Sequence, residues 1–211
     1  MRRPTKKEYI LGCVLLVFAL FIVVPRHAAA VENKTLTDLM TAYNGESNAH
    51  AKYLTFAKKA DEEGYGKVAS LFRAAAEAEG VHLKSHAEVI KGMGGTPKAD
   101  IKLPEVKSTR ENLEDALKGE TYERITMYPE FIAQAKQDNN KEAVRTFTYA
   151  KFAEAEHAKL YKEALDNLES WKGAKADFYV CPTCGYTVNG KPSFEMCPVC
   201  ATPSKDYKLV N

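Results

Sequence analysis

Apolar positions recur three and four residues apart along most of this chain. From Thr35 to about Tyr65, Leu36, Leu39, Met40, Tyr43, Ala49, Tyr53, Phe56 and Ala57 fall on one stripe, and Gly64-Tyr65-Gly66 follows as a stop and turn. That pattern predicts a long amphipathic helix. A second helix is predicted from about Lys67 to Lys91, ended by Gly92, Gly94 and Gly95. Thr96 to Ser108 is polar, contains Pro97 and Pro104, and is long for a turn between helices. Ser108-Thr-Arg-Glu111 then reads as a capping box opening a third helix that reaches roughly Asp138, with Pro129 expected to kink it. Asn139-Asn140 is the next turn, and a fourth helix is predicted from about Lys141 to Ser170. Four long helices with one long connection, between the second and third, predict a mainly α fold with a four-helix bundle over residues 31–171. A short linker, 172–177, leads to a small β-rich module over 178–211.

The first thirty residues follow another pattern. A basic stretch with Arg2, Arg3, Lys6 and Lys7 precedes an uninterrupted apolar run from Tyr9 to Val24, and Ala28-Ala29-Ala30 offers an A-x-A-like cleavage site. The segment 1–30 is thus expected to be a signal peptide, giving an exported, periplasmic protein that starts at Val31, or else an uncleaved N-terminal membrane anchor. Arg2-Arg3 matches a twin-arginine signal poorly, and Cys13 reads as an ordinary apolar cysteine.

Composition adds an exclusion. The chain has 211 residues, 45% hydrophobic and 27% charged, enough for one sizeable core and a small appendage. Without the leader's Arg2, Arg3, Lys6, Lys7, Arg26 and Glu8, 25 basic and 27 acidic residues remain, a formal −2. That balance is no footprint for nucleic acid.

The candidate chemistry lies on the helices. Glu79-Gly-Val-His82 and Glu154-Ala-Glu-His157 each set a carboxylate and an imidazole one turn apart on a single face. Glu46 lies 33 residues before Glu79, and Glu120 lies 34 before Glu154, so two helical hairpins of similar length would gather all six side chains. Ionised glutamates inside a bundle cost several kcal/mol each unless paired or bound to a cation. One Glu from each of two helices, with Glu-x-x-His from each of the other two, is the ligand set of a carboxylate-bridged di-iron site in a ferritin-like bundle. Carboxylates mixed with imidazole suit iron or manganese. Glu77 and Glu156, beside the ligands in sequence, are expected on polar outer faces, as are His50 and a partly exposed His86.

At the other end, Cys181-Pro-Thr-Cys184-Gly and Cys197-Pro-Val-Cys200 form two Cys-x-x-Cys knuckles separated by twelve residues. Each offers two thiolates at tetrahedral spacing, and Gly185 permits the tight turn whose amides bond to sulfur. The tetrahedron accepts one iron, with zinc also possible. Tyr179, Tyr186, Phe194 and Tyr207 would supply a small core. With these residues the module resembles a rubredoxin, a family that usually carries glycine where Ala201 follows the fourth cysteine.

Glu123 adds a seventh ligand candidate, on the face of Glu120. Gly45-Glu46-Ser47, Glu79-x-x-His82, Gly119-Glu120-Thr-Tyr-Glu123 and Glu154-x-x-His157 resemble the motifs of rubrerythrins, in order and spacing, and the likeness runs through the cysteines from about residue 36 to 211. The resemblance implies a ferritin-like bundle joined to a rubredoxin-like domain. It implies that Glu79 and Glu154 bridge two non-haem irons, that Glu46 and Glu120 are terminal ligands, and that His157 binds one iron. Glu123 and His82 would exchange on the other iron between oxidised and reduced states, the catalytic movement. Tyr53 and Tyr122 would hydrogen-bond the ligand carboxylates. The implied activity is reduction of hydrogen peroxide to water, with electrons from an external, NAD(P)H-linked donor passing through the cysteine-bound iron. A homodimer or higher oligomer is also implied, one subunit's rubredoxin-like domain serving the other's di-iron site. Two other readings of the residues remain: a ferroxidase that handles iron, and a non-enzymatic zinc-ribbon module on a metal-stabilised bundle.

Overall fold

The computed structural model describes residues 33–211; the expectations for the leader, including the cleavage site, Cys13 and Arg2-Arg3, lie outside them. Five α-helices are present in this region: α1 Lys34–Glu62, α2 Gly66–Gly92, α3 Thr109–Tyr122, α4 Tyr128–Gln137 and α5 Lys141–Asp166. None of the described helices is long and apolar enough to cross a membrane. Side chains start three of them. Asn33 accepts from the Leu36 amide, Asn140 from the Ala143 amide, and Ser108 and Glu111 form the expected capping box.

The third bundle helix is not continuous. Between α3 and α4 the backbone widens into a π-helical segment, Glu123–Met127, and Pro129 lies in the first turn of α4. Proline lacks the N–H that would continue the ladder, so the break falls beside it. The fourth bundle helix ends earlier than expected, at Asp166, and continues as a single 3₁₀ turn, Leu168–Trp171.

Two apolar clusters fill the bundle, one around Tyr53, Phe56, Phe72, Leu113 and Tyr161, the other around Leu39, Ile90, Tyr128, Phe131 and Phe147. The C-terminal module is a three-stranded antiparallel sheet of β1 Phe178–Val180, β2 Thr187–Asn189 and β3 Lys208–Val210, with β1 in the middle. Phe178 and Val180 belong to the first bundle cluster, so module and bundle share a core.

The linker is strapped down. The Gly173 amide donates to the Gly64 carbonyl at 2.9 Å, and the Ala176 amide to Ser70 Oγ at 3.2 Å. A Cβ at Gly66 would collide with the Gly173 carbonyl, so this crossing requires glycine. Lys208 pairs with Glu77 at 2.7 Å and Arg73 Nε donates to the Asn211 carbonyl at 3.0 Å, fixing β3 on α2. Glu77 is thus half-buried and tied to the module, where an open polar face was expected.

Candidate metal centres

Glu46 on α1, Glu79 and His82 on α2, Glu120 on α3, and Glu154 and His157 on α5 all converge, and all six are buried. They form two overlapping quartets, Glu46-Glu79-His82-Glu154 and Glu79-Glu120-Glu154-His157, each with one ligand atom per residue lying within 4.8 Å of the others. Glu79 and Glu154 belong to both quartets, which is the placement a bridging carboxylate needs. Glu123, at the first position of the π segment, is half-buried and belongs to neither.

The donor atoms face one another and no other protein group. Glu46 Oε2, Glu79 Oε1, Glu120 Oε2, both Glu154 oxygens and His157 Nδ1 are buried with no hydrogen-bond partner outside the Glu/His cluster. Native interiors leave few such atoms, and a cluster of them around one point fits cations. Protonation follows the same crowding. Burial, then the charges of Glu154 and Glu79, pushes the Glu120 carboxyl up to about 8. Glu46 is raised by burial and by Glu79 and Glu154, and Glu123 by burial and by Glu46. Burial would raise Glu154 too, but the imidazoles of His82 and His157 outweigh it and hold that carboxylate ionised. Burial would lower both histidines, and the surrounding carboxylates hold them high instead. Too many anions share too few cations, and two divalent ions would resolve that.

Both histidines are oriented from behind by the C-terminal module. His82 Nε2 donates to the Cys184 carbonyl at 3.1 Å, and His157 Nε2 donates to Thr187 Oγ1 at 3.1 Å. Thr187 passes its own proton to the Gly185 carbonyl at 2.9 Å. These bonds fix the tautomer, so each ring turns Nδ1 inward: 2.8 Å from Glu79 for His82, 2.8 Å from Glu154 for His157. Gly185 makes the contact possible. Its φ is +77°, and a Cβ there would collide with the His82 ring. The strapped linker holds the module over its own bundle.

Terminal carboxylates are held by tyrosines. Tyr53 donates to Glu120 Oε1 at 2.5 Å, as the resemblance implied. The second tyrosine is not Tyr122, which is 56% exposed, but Tyr128, which donates to Glu46 Oε1. His86 is likewise a correction. It is fully buried, with Nδ1 2.9 Å from Thr146 Oγ1 and Nε2 3.3 Å from the Tyr128 hydroxyl. His50 is half-buried, its Nδ1 2.6 Å from the Ala76 carbonyl, and Glu156 pairs with Lys159 at 2.8 Å. Neither belongs to a quartet.

Cys181, Cys184, Cys197 and Cys200 form the third cluster. Their sulfurs are 3.5 Å apart for Cys181–Cys200 and 3.6 Å for Cys184–Cys197. A tetrahedron with metal–sulfur bonds of about 2.3 Å has an edge of about 3.7 Å, so the cage fits a single ion. The Cys181 thiol is pulled down to about 5 by hydrogen bonding from Cys184 and from the Thr183 and Cys184 amides. Ala201 stands at φ 60°, the counterpart of Gly185 in the second knuckle, and bears the strain that glycine avoids.

Comparison with known proteins decides the family. Residues 38–165 match the rubrerythrin family. The chain belongs to that family. It is 41% identical to nigerythrin of Nitratidesulfovibrio vulgaris over 82% of this chain and 85% of that one. It is 34% identical to rubrerythrin-2 of Clostridium acetobutylicum over 85% of this chain and 98% of that one. Among solved structures, fully reduced, all-ferrous nigerythrin superposes with a TM-score of 0.77 at 38% identity, covering 83% of this chain and 86% of the other. A bacterioferritin from Desulfovibrio desulfuricans, at 23% identity and a TM-score of 0.59, shares the bundle fold. The Glu/His cluster is thus a rubrerythrin-type di-iron site, and the four cysteines form a rubredoxin-like iron site.

Proposed function

We propose that this protein is a non-haem di-iron peroxidase that reduces hydrogen peroxide to water, drawing electrons from an external, NAD(P)H-linked donor through its cysteine-bound iron, as a defence against oxidative stress. The observation that carries this reading is the pair of hydrogen bonds from His82 to Cys184 and from His157 to Thr187. The first joins the one-iron cage directly to one half of the di-iron cage, and the second joins β2 of the same module to the other half, a connection that iron storage does not need. When bound, the irons would supply two electrons to a peroxide and regain them one at a time.

The chain's own residues do the rest. Glu79 and Glu154 hold the two positions together, Tyr53 and Tyr128 fix the terminal carboxylates, and the module sets both imidazoles. Glu123, beside the quartets rather than in them, is the carboxylate positioned to replace His82 as the charge of the site changes. The leader supports export to the periplasm, or anchoring by the N-terminus, and the resemblance supports a homodimer.

The test compares two stopped-flow rates. Glu123→Ala should keep two irons in the bundle yet slow peroxide reduction well beyond any loss in ferrous oxidation by dioxygen. Equal losses, or none, would favour a ferroxidase.

A further inference from the structure

Behind the His82 half of the site, polar groups continue into a region that should be apolar. Thr146, His86 and Tyr128 sit at one level of the second hydrophobic cluster, among Phe131, Phe147 and Ile90, and all three are buried. None is a metal ligand. Polar groups in such a position cost free energy unless each is bonded, and here each is.

The direction of every bond follows from one fixed end. A carboxylate only accepts, so the Tyr128 hydroxyl donates to Glu46. The phenol oxygen then accepts from His86 Nε2–H at 3.3 Å. That leaves Nδ1 with its lone pair, which accepts from the Thr146 hydroxyl at 2.9 Å. Burial, reinforced by the charge on His82, pushes His86 down to about 3, so its ring is neutral and has the single proton this arrangement requires. The far end is open: Thr146 lines a cavity of roughly 650 Å³ between α2, α5 and the first cysteine knuckle, walled also by Ser85, Asn140, Tyr149 and Thr183. The Thr146 hydroxyl, whose proton points to His86, can accept a hydrogen bond from water entering this cavity.

We propose that Thr146, His86 and Tyr128 form a proton-entry relay, carrying protons from this cavity to Glu46 during peroxide reduction. The proposal rests on the peroxidase reading for its chemistry. Reducing one peroxide to two waters takes up two electrons, from the iron pair, and two protons from solvent. In each transfer a cavity water, itself reprotonated by bulk solvent, gives a proton to Thr146 Oγ as the Thr146 proton moves to His86 Nδ1. The Nε2 proton moves to the Tyr128 oxygen, and the phenolic proton moves to Glu46, which gives a proton up to a peroxide oxygen before the next transfer. No relay residue gains or loses net charge. Rotation of the two hydroxyls and return of the ring to its Nε2–H form reset the chain. In the His157 half the residue behind Tyr53 is Tyr161, packed against Phe72, and neither tyrosine lines that cavity.

The test has one readout independent of turnover. In the full-length protein loaded with zinc in place of iron, ¹⁵N spectra should show His86 as the neutral Nε2–H tautomer. Thr146→Val, which keeps the shape and removes the hydroxyl, should slow exchange of that proton with solvent by about tenfold or more. In the iron-loaded protein the same variant should slow peroxide reduction by a similar factor and raise the solvent isotope effect, with two irons retained, and Thr146→Ser should restore both rates. An Nδ1–H tautomer would overturn the proposal. So would unchanged exchange, or slower turnover without slower exchange, which would mark Thr146 as merely structural. If exchange slows but wild type leaves peroxide untouched, the relay stands and the peroxidase reading fails.

Discussion

The two halves of the di-iron cage have the same ligands and different surroundings. Each has one terminal glutamate capped by a tyrosine, one histidine held at Nε2 by the cysteine module, and a share in Glu79 and Glu154. Around His157 the next layer is aromatic, with Tyr53, Phe56, Phe72 and Tyr161 packed together. Around His82 it is polar, with His86 and Thr146 leading to a cavity, and Glu46 is the charge that bears most on Glu123. Identical donors can therefore be given unequal work by what stands behind them. On the function proposed above, the His157 half would be permanent, and proton entry and exchange would fall to the His82 half.

Glu79 and Glu154 are what the halves share, so removing one gives the largest effect. Glu154→Ala should cost both bundle irons, since Glu154 belongs to both quartets and faces both imidazoles. Glu46→Ala should cost only the position beside His82, and Glu156→Ala neither. Metal analysis with the cysteine-bound iron as internal standard reads the three outcomes, and equal iron content in Glu154→Ala and Glu156→Ala would refute the bridge.

Smaller and one-sided is the effect expected of Gly185→Ala. The new methyl meets the His82 ring and the residue must hold φ at +77°, so the module should lift from His82. Electron delivery from the reduced cysteine-bound iron should slow by about tenfold or more, as small displacements at a positioned site commonly do. The thiolate spectrum should barely change. In the second knuckle the opposite exchange, Ala201→Gly, relieves strain at an exposed turn and should leave delivery alone while stabilising the module by about 1 kcal/mol. Unaltered delivery in Gly185→Ala would show that this contact is not the route.

The contrast between halves also marks what the sequence could disclose. All six quartet residues were legible, because a straight helix repeats its face every three to four residues and Glu-x-x-His uses that repeat directly. Tyr128 was not. The π segment widens the helix after Tyr122 and changes which residues turn inward, and Pro129 signals a break without saying where its faces fall. His86 shares the face of His82, one turn on, but a lone histidine on a charged helix is more often exposed. Thr146 was the missing sign: a polar residue at a core position between Ala143 and Ala150 on α5 needs a partner. The module's seat on its own bundle was out of reach too, since it depends on contacts such as Gly66–Gly173 and Glu77–Lys208 that have no local spacing.

The last contrast concerns His86 as a buried neutral base, and it separates the halves without any turnover. Its pKa falls to about 3 in the folded chain, while an unfolded chain returns it to about 6.5. Between those values the unfolded state binds one more proton than the folded one at this position, so stability rises with pH there and is lost as pH falls below about 6.5. His86→Phe removes that group, fills the ring's space, and leaves the Tyr128 hydroxyl and Thr146 without their imidazole partner. The variant should be less stable than wild type at neutral pH, because two buried hydrogen bonds are gone. The gap should narrow on acidification by up to about 1.4 kcal/mol per pH unit, since the variant lacks one proton taken up on unfolding. Tyr161→Phe, in the His157 half, removes a hydroxyl that burial keeps protonated throughout this range, so its gap should stay constant with pH. Denaturant unfolding of the zinc-loaded protein between pH 6.5 and 5 measures both slopes, and a constant gap for His86→Phe would mean that His86 is already protonated in the fold, unable to accept the Thr146 proton.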